Sequence, residues 1–196
     1  RRVGITPQIT VIEAGPQISG VGRRARQRLM RAMGDLGIAV QTQAKVLRID
    51  RDQVVLDGAA PVAAALTVGA AGAFPHAWLG QTDLPLRDGF IEVRPDLSLG
   101  DDDRMFAVGD CAAMPFAPRP KAGVFAVRAA PVLHHNLRVA LSGGARKRFR
   151  PQRNYLKLIS LGDTSAMAEK FGIAVSGPLL WRWKDRIDRA FMKRLS

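Results

Sequence analysis

Cysteine is almost missing from this chain: Cys111 stands alone among 196 residues. That count excludes an internal disulfide, a cysteine zinc cluster and a redox CxxC pair within these residues. It also sets the expectation of a reducing, cytoplasmic compartment. Long apolar runs are lacking too. None approaches the roughly 18 residues of a membrane span, and the opening "RRVGITPQIT" has no apolar signal segment. No GxGxxG occurs; the nearest glycine pairs are Gly20/Gly22 and Gly69/Gly72. Carboxylates are scarce, with 17 acidic against 30 basic side chains and a net charge of +13. Apolar residues make up 47% of the chain, enough to bury a core.

The positive charge is uneven. Residues 1–75 carry 10 basic and 5 acidic groups, residues 76–142 carry 7 and 8, and residues 143–196 carry 13 and 4. A field concentrated at one end points to an acidic partner or an anionic lipid surface, or to solvated arginine. Nucleic acid is not expected, because no helix-turn-helix or other binding module is present.

The pattern of residues predicts an α/β chain. "ITVIEAG" (Ile9–Gly15) reads as a short buried strand ending in an acid and a glycine. "VGRRARQRLMRAMGDLG" places Leu29, Met30, Met33 and Leu36 on a helical stripe that stops at Gly37. "IAVQTQAKVLRID" and "QVVLDG" read as strands, the second with a turn at Asp57-Gly58. "AAALTVGAAG" reads as a buried strand running into a glycine loop. "FIEVRPDLSL" reads as a hairpin or edge segment, and "DDDRMFAVGD" as an acidic turn before a buried strand. "KAGVFAVRAAPVLHHNLRVALSG" predicts a long helix with a kink near Pro131. "GGARKRFRPQ" reads as a linker. "YLKLISLGDTSAMAEKFGIAVSG" reads as two strands about Gly162-Asp163, and "PLLWRWKDRIDRAFMKRLS" as a final helix.

Two acids carry the chemical interest. Glu13 ends a strand just before a loop, where a carboxylate accepts the hydroxyls of an adenosine ribose and repels a 2′-phosphate. Many strands also end in Glu without a ligand. Asp110 follows "MFAVG", where a carboxylate is costly unless something donates to it. A polyol hydroxyl at the strand's carboxyl end is one solution; a helix N-cap is the other. Cys111 reads as a small core residue. His134 and His135 point about 100° apart on their helix, too divergent to share a metal, and read as surface or interdomain residues. The final helix carries Leu180, Trp183, Ile187, Phe191 and Leu195 on one stripe, with basic residues off it. Residues 179–195 therefore either lie at a membrane interface or pack on their own domain.

The order "ITVIEAG", "LTVGAAG", "GFIEVRPDLSL", "MFAVGDCA", "KAGVFAVRAAPVLHHNL" resembles the C-terminal half of a pyridine nucleotide-disulfide oxidoreductase flavoprotein. It looks most like the type II NADH dehydrogenase branch. "PKAGVFAVR" and "LLWRWKDRIDRAFMKRL" look like members found beside selenide, water dikinase. The resemblance implies partial Rossmann-like FAD- and NAD-binding domains plus a small α+β domain. Residues 1–75 would be the second half of the NAD(P)-binding domain. Residues 76–145 would be the C-terminal part of the FAD domain, and residues 146–196 the C-terminal domain.

It further implies that Glu13 holds the NADH ribose and that the Gly69–Gly72 loop returns the chain to the flavin domain. Gly109 and Asp110 would contact the ribityl–pyrophosphate region of FAD. Lys121, Ala122 and Gly123 would open a helix pointing at the flavin ring, whose N-terminus stabilises negative charge. Lys121 would add to that stabilisation or simply be solvated. The implied activity is FAD-dependent oxidation of NADH, with an acceptor such as quinone and no side chain acting as acid or base. Two other classes stay open: a sulfide:quinone-type flavoenzyme, and a non-catalytic docking module for a selenophosphate-forming partner. The Gly-rich fingerprints that hold each pyrophosphate are absent from these residues. The chain alone is expected to hold neither cofactor tightly, and an incomplete flavin domain is expected to expose core and favour dimers. Peripheral contact with the inner membrane face is the corresponding expectation for residues 179–195.

Overall fold

The computed structural model describes residues 7–100, 102–162 and 164–193. The chain folds as two compact units, one built from residues 1–69 and 154–196 and the other from residues 70–153. The first unit is thus discontinuous in sequence.

That unit opens with β1 (Thr10–Ile12), α1 (Arg23–Asp35) and β2 (Ala39–Gln41). The strands pair in parallel, Thr10 opposite Ala39 and Ile12 opposite Gln41, which makes a βαβ unit. The pairing continues past the strand, with Glu13 N donating to Gln41 O at 2.9 Å. α1 turns its Ala25, Leu29 and Met33 side inward; Ala25 and Met33 are buried, and Met30 is exposed. Gly37, at φ 70°, ends the helical path where a side chain would be strained. β3 (Val46–Ile49), β4 (Gln53–Leu56) and β5 (Val62–Ala63) form an antiparallel sheet whose core is Ala44, Val54 and Leu56. The buried strand expected at "LTVGAAG" does not form. The strand ends at Ala63, and Leu66 is 83% exposed in coil.

The second unit contains β6 (Leu86–Arg87), β7 (Phe90–Glu92), β8 (Ser98–Leu99), β9 (Asp102–Phe106), β10 (Ala112–Ala113) and α2 (Gly123–Ser142). β10 pairs with β7 in parallel, and β7 with β6 antiparallel. β9 pairs with β8. Its expected burial holds only at the end: Ala107 is buried, whereas Met105 is 42% exposed. α2 accommodates Pro131 within its 20 residues. The segment expected to be a linker is instead fastened down. Phe149 is buried with Leu97 and Ala129, and Arg146 bridges Asp96 and Asp103, both at 3.1 Å.

The chain then adds β11 (Lys157–Gly162), β12 (Ser165–Lys170), β13 (Ile173–Gly177) and α3 (Pro178–Met192) to the first unit. Three antiparallel strands replace the expected two, because Phe171-Gly172, both at positive φ, make a second reversal. Asp163, half of the expected turn, lies outside the described residues. α1 packs on one face of this sheet, where Met167 and Ala174 join Ala25. α3 packs chiefly on β12. Strand alternation puts the buried Ala166 and Ala168 on the face opposite Met167, and their small side chains let the helix come close. Leu180 and Trp181 are half-buried, whereas Trp183, Ile187 and Phe191 stay largely exposed. Leu195 lies outside the described residues.

Glu169 joins the two parts of this unit. Its carboxylate is only 7% exposed. Oε1 accepts the Gly22 N–H at 2.6 Å, and Oε2 lies 3.4 Å from Lys157 Nζ. Gly22 is the N-cap of α1 and offers no side chain of its own. A β-carbon there would meet Oε1 at 2.5 Å. A carboxylate from β12 thus sits at the positive end of α1.

Candidate functional site

The predicted residues fall into two clusters, one in each unit. Glu13 lies in the first, at the carboxyl end of β1. Its Oε1 accepts Gly15 N–H at 3.0 Å, and its Oε2 accepts Ser19 N–H at 3.1 Å and the Ser19 hydroxyl at 2.8 Å. The backbone amides of Gly15 and Ser19, then the Ser19 hydroxyl, hold its pKa below the ordinary carboxylate value. The charged form is therefore kept and the 13–19 loop is closed around it.

The second cluster gathers at the start of α2. Val108 leads into a short 3₁₀ turn over Gly109–Cys111. Gly109 sits at φ 75°, and a β-carbon there would lie 3.4 Å from that of Ala126, so the turn rests against the first turns of α2. Ala122 is the N-cap of α2 and makes no side-chain cap. The first turn of α2 therefore has no side-chain oxygen from its own N-cap. The Asp110 side chain is exposed and makes no hydrogen bond or ion pair among the described residues. The N-cap alternative for Asp110 is thereby removed, since Val108 caps the 3₁₀ turn and Ala122 caps α2.

Lys121 is neither solvated nor free. Its Nζ donates to Ala112 O at 2.6 Å and lies 3.8 Å from the centroid of the Phe90 ring. Burial lowers its pKa, offset in part by attraction to Asp110 and Cys111. Lys121 thus ties the strand after the turn to the segment before α2, and its charge lies near Asp110. Arg119, which the sequence did not single out, clamps the same segment. Its guanidinium donates to Gln152 O at 3.0 Å, Pro118 O at 2.6 Å and Pro151 O at 3.4 Å. Only its place in "PRPK", two residues before Lys121, hinted at this. Cys111 is exposed rather than in the core, with Sγ 3.2 Å from Val108 O. Gly123 opens α2, and Gly72, at φ 94°, has open space where a β-carbon would stand. Among the described residues no group of three or more His, Cys, Asp or Glu comes together as a metal site.

The second cluster offers a carboxylate with no hydrogen-bond partner, the Gly109 turn and the Gly123 and Val124 N–H groups at a helix start, the kinds of group that bind a polyol and a phosphate. With a βαβ unit whose first strand leads into Glu13, the fold is α/β and Rossmann-like, of the nucleotide-binding class. Residues 2–130 match the pyridine nucleotide-disulphide oxidoreductase family, and the chain belongs to that family. Membership implies FAD and a nicotinamide nucleotide as the family's cofactors. No curated protein sequence matches it significantly.

Among solved structures, the chain is similar to the sulfide:quinone oxidoreductase of Aquifex aeolicus (TM-score 0.72, 15% identity) over 95% of its length and 49% of that chain. It is also similar to a FAD-dependent pyridine nucleotide-disulphide oxidoreductase from Desulfovibrio vulgaris (TM-score 0.64, 26% identity), over 82% of this chain and 42% of that one. A NAD-dependent persulfide reductase from A. fulgidus follows the same fold (TM-score 0.62, 19% identity), over 83% and 31%. The chain thus spans half or less of each of these proteins. Among the described residues no helix is long and apolar enough to cross a membrane.

Proposed function

We propose that this chain is the C-terminal portion of an FAD-dependent NADH oxidoreductase that passes electrons to an acceptor such as quinone. The observation that carries the reading is the unengaged Asp110 beside the uncapped start of α2. Residues 1–75 are assigned to the second half of an NAD(P)-binding domain, residues 76–145 to the C-terminal part of an FAD domain, and residues 146–196 to a C-terminal domain. The exposed apolar side chains Leu66, Val68, Phe74 and Met105 support a longer polypeptide that covers them. "PKAGVFAVR" and the final helix support the branch found beside selenide, water dikinase.

The residues divide the work as follows. Asp110 accepts hydrogen bonds from ribityl hydroxyls, and Gly109 leaves room for the approach. The first N–H groups of α2, at Gly123, face the ring and stabilise negative charge there. Lys121, through its Ala112 and Phe90 contacts, and Ala122, as the N-cap, fix where that helix begins. Gly72, in the second unit, lets the backbone come close to a cofactor without a side chain. Glu13, already charged and oriented by Gly15 and Ser19, accepts ribose hydroxyls and repels a 2′-phosphate, which favours NADH over NADPH. When bound, the cofactors supply hydride transfer from nicotinamide C4 to flavin N5, and the protein supplies contact and orientation. The exposed Trp183, Ile187 and Phe191, flanked by Arg182, Arg186 and Lys193, support peripheral contact with an anionic membrane.

The test is an absorbance spectrum of the full-length polypeptide before and after anaerobic NADH. Flavin bands near ~450 nm that bleach on NADH are expected. Asp110→Ala should weaken FAD retention by about 10- to 100-fold, the worth of a charged hydrogen bond. A colourless protein with no response to NADH would sink the oxidoreductase reading and leave the docking role. Bound flavin that sulfide reduces and NADH does not would favour the sulfide:quinone type, whose catalytic cysteines would lie outside these residues.

A further inference from the structure

On the second unit, at the end of α2 away from Gly123, a cavity of about 480 Å³ opens between the helix and the segment that follows it. Its polar lining is His134, His135, Arg138, Ser142 and Lys147, and no carboxylate is among the lining residues. Val139 gives it an apolar wall. The volume falls within the range of small-molecule sites, about 300–1,000 Å³.

The cations here are not used up elsewhere. Among the described residues, the Arg138 guanidinium and the Lys147 ammonium make no hydrogen bond or ion pair. The nearby Asp96 and Asp103 are both engaged by Arg146. His135 Nε2 is 3.1 Å from Ala145 O, which can only accept, so Nε2 carries the hydrogen and Nδ1 is left over. The Ser142 hydroxyl donates to Arg138 O and keeps its lone pairs.

The far wall is held in place by a fully buried side chain. Asn136 is 0% exposed. Its Nδ2 donates to Lys147 O at 2.8 Å and to Asp96 O at 2.7 Å, and its Oδ1 accepts Lys147 N–H at 2.8 Å. Burying an amide is justified only when its bonds are made, and three of them are made here. Two of those go to the residue that supplies one of the free cations. The result is a concave surface with two unpaired cations and two imidazoles, and its backbone is fixed before any ligand arrives. Binding needs no reordering of this backbone, while the exposed Arg138 and Lys147 side chains are left to adjust to the ligand.

We propose that this cavity binds a phosphorylated small molecule through its phosphate, with Arg138 and Lys147 as the charged contacts and His134 and His135 as hydrogen-bonding neighbours. Arg138 brings the planar fork that matches two phosphate oxygens, and Lys147 adds a point charge. The site is independent of the flavin and nicotinamide assignments, since none of its residues belongs to either cluster.

The experiment is an amide-resolved NMR titration of the chain at pH 7 with inorganic phosphate and with pyrophosphate, at constant ionic strength set with sodium chloride. Saturable shifts confined to residues 131–147 are expected, tighter for pyrophosphate. Arg138→Ala and Lys147→Ala should each weaken binding about tenfold without unfolding the chain, since neither side chain has a partner to lose. His134→Gln should weaken it less. A response to chloride of equal size, or saturation unchanged in the Arg138→Ala, Lys147→Ala double variant, would overturn the proposal. So would shifts produced by polyglutamate and not by pyrophosphate, which would make this a surface for acidic protein. If the cations serve only the carbonyl end of α2, the double variant melts earlier and wild type shows no phosphate response, which also refutes it.

Discussion

The contact between Glu169 and Gly22 makes a sharp test of how the first unit coheres. Glu169→Ala removes a charged acceptor from a buried backbone N–H. A hydrogen bond to a charged group contributes about 1.5–3 kcal/mol, and the carboxylate's place at the helix start adds about 0.5 kcal/mol. Lys157 loses its ion pair as well but keeps Gly20 O at 2.7 Å. The expected loss is therefore about 2–3.5 kcal/mol, or about 4–14 °C in a domain of this size. Glu169→Gln keeps an acceptor of the same shape and should cost about 1 kcal/mol. Gly22→Ala is the informative partner. Its φ of −71° suits alanine, so the only obstacle is the carboxylate oxygen 2.5 Å from the new methyl. The substitution should cost about as much as Glu169→Ala in the wild-type chain and almost nothing once residue 169 is alanine. Urea unfolding followed by far-ultraviolet circular dichroism on the four proteins of that cycle measures the coupling. Equal costs of Gly22→Ala in both backgrounds would refute the reasoning.

Other expectations follow from single side chains. Asn136→Leu strands two carbonyls and an N–H and should lower stability by about 3 kcal/mol; amide exchange at Lys147 should accelerate with it. Glu13 has a folded pKa below its unfolded one, so its contribution is complete above the ordinary carboxylate range and is lost as pH falls through the lower, folded value. The Ser19 amide resonance should report that loss on acidification, and Glu13→Gln should abolish the step. Vesicles rich in anionic lipid should shift tryptophan emission to the blue and Trp183→Ala should remove most of that shift; no change in wild type would return the α3 face to solvent.

Much of this fold can be read along the chain where the signal is local. The inward Leu29 and Met33 of α1, the Gly37 stop and the length of α2 all follow from spacing and from residues that restrict φ, whereas Met30 of the expected stripe is exposed and the buried Ala25 was not foreseen. What failed depended on distant partners. "LTVGAAG" has the composition of a buried strand, but no strand lies beside it here, so it stays coil with Leu66 in solvent. "GGARKRFRPQ" has the composition of a linker, yet Phe149 finds Leu97 and Ala129 some tens of residues earlier. At the candidate site, Asp110 was visible because an acid after an apolar run is conspicuous. The anchoring of Lys121 by Ala112 O and Phe90 was not, because nothing in "PRPKAG" names either partner. Glu169 and Asn136 were missed for the same reason: a buried polar residue is explained only by the atoms it meets.

The discontinuity of the first unit has a consequence for synthesis. Glu169 follows Gly22 by 147 residues. At about 5–20 residues per second, the ribosome makes α1 roughly 7–30 s before the carboxylate that will accept its first N–H. For that interval the β1–α1–β2 segment has neither its anionic cap nor the sheet whose Met167 and Ala174 pack on Ala25. The second unit, residues 70–153, is meanwhile finished without interruption. Within these residues the order of completion is therefore inverted with respect to the order of translation: α1 is made before the second unit and secured after it.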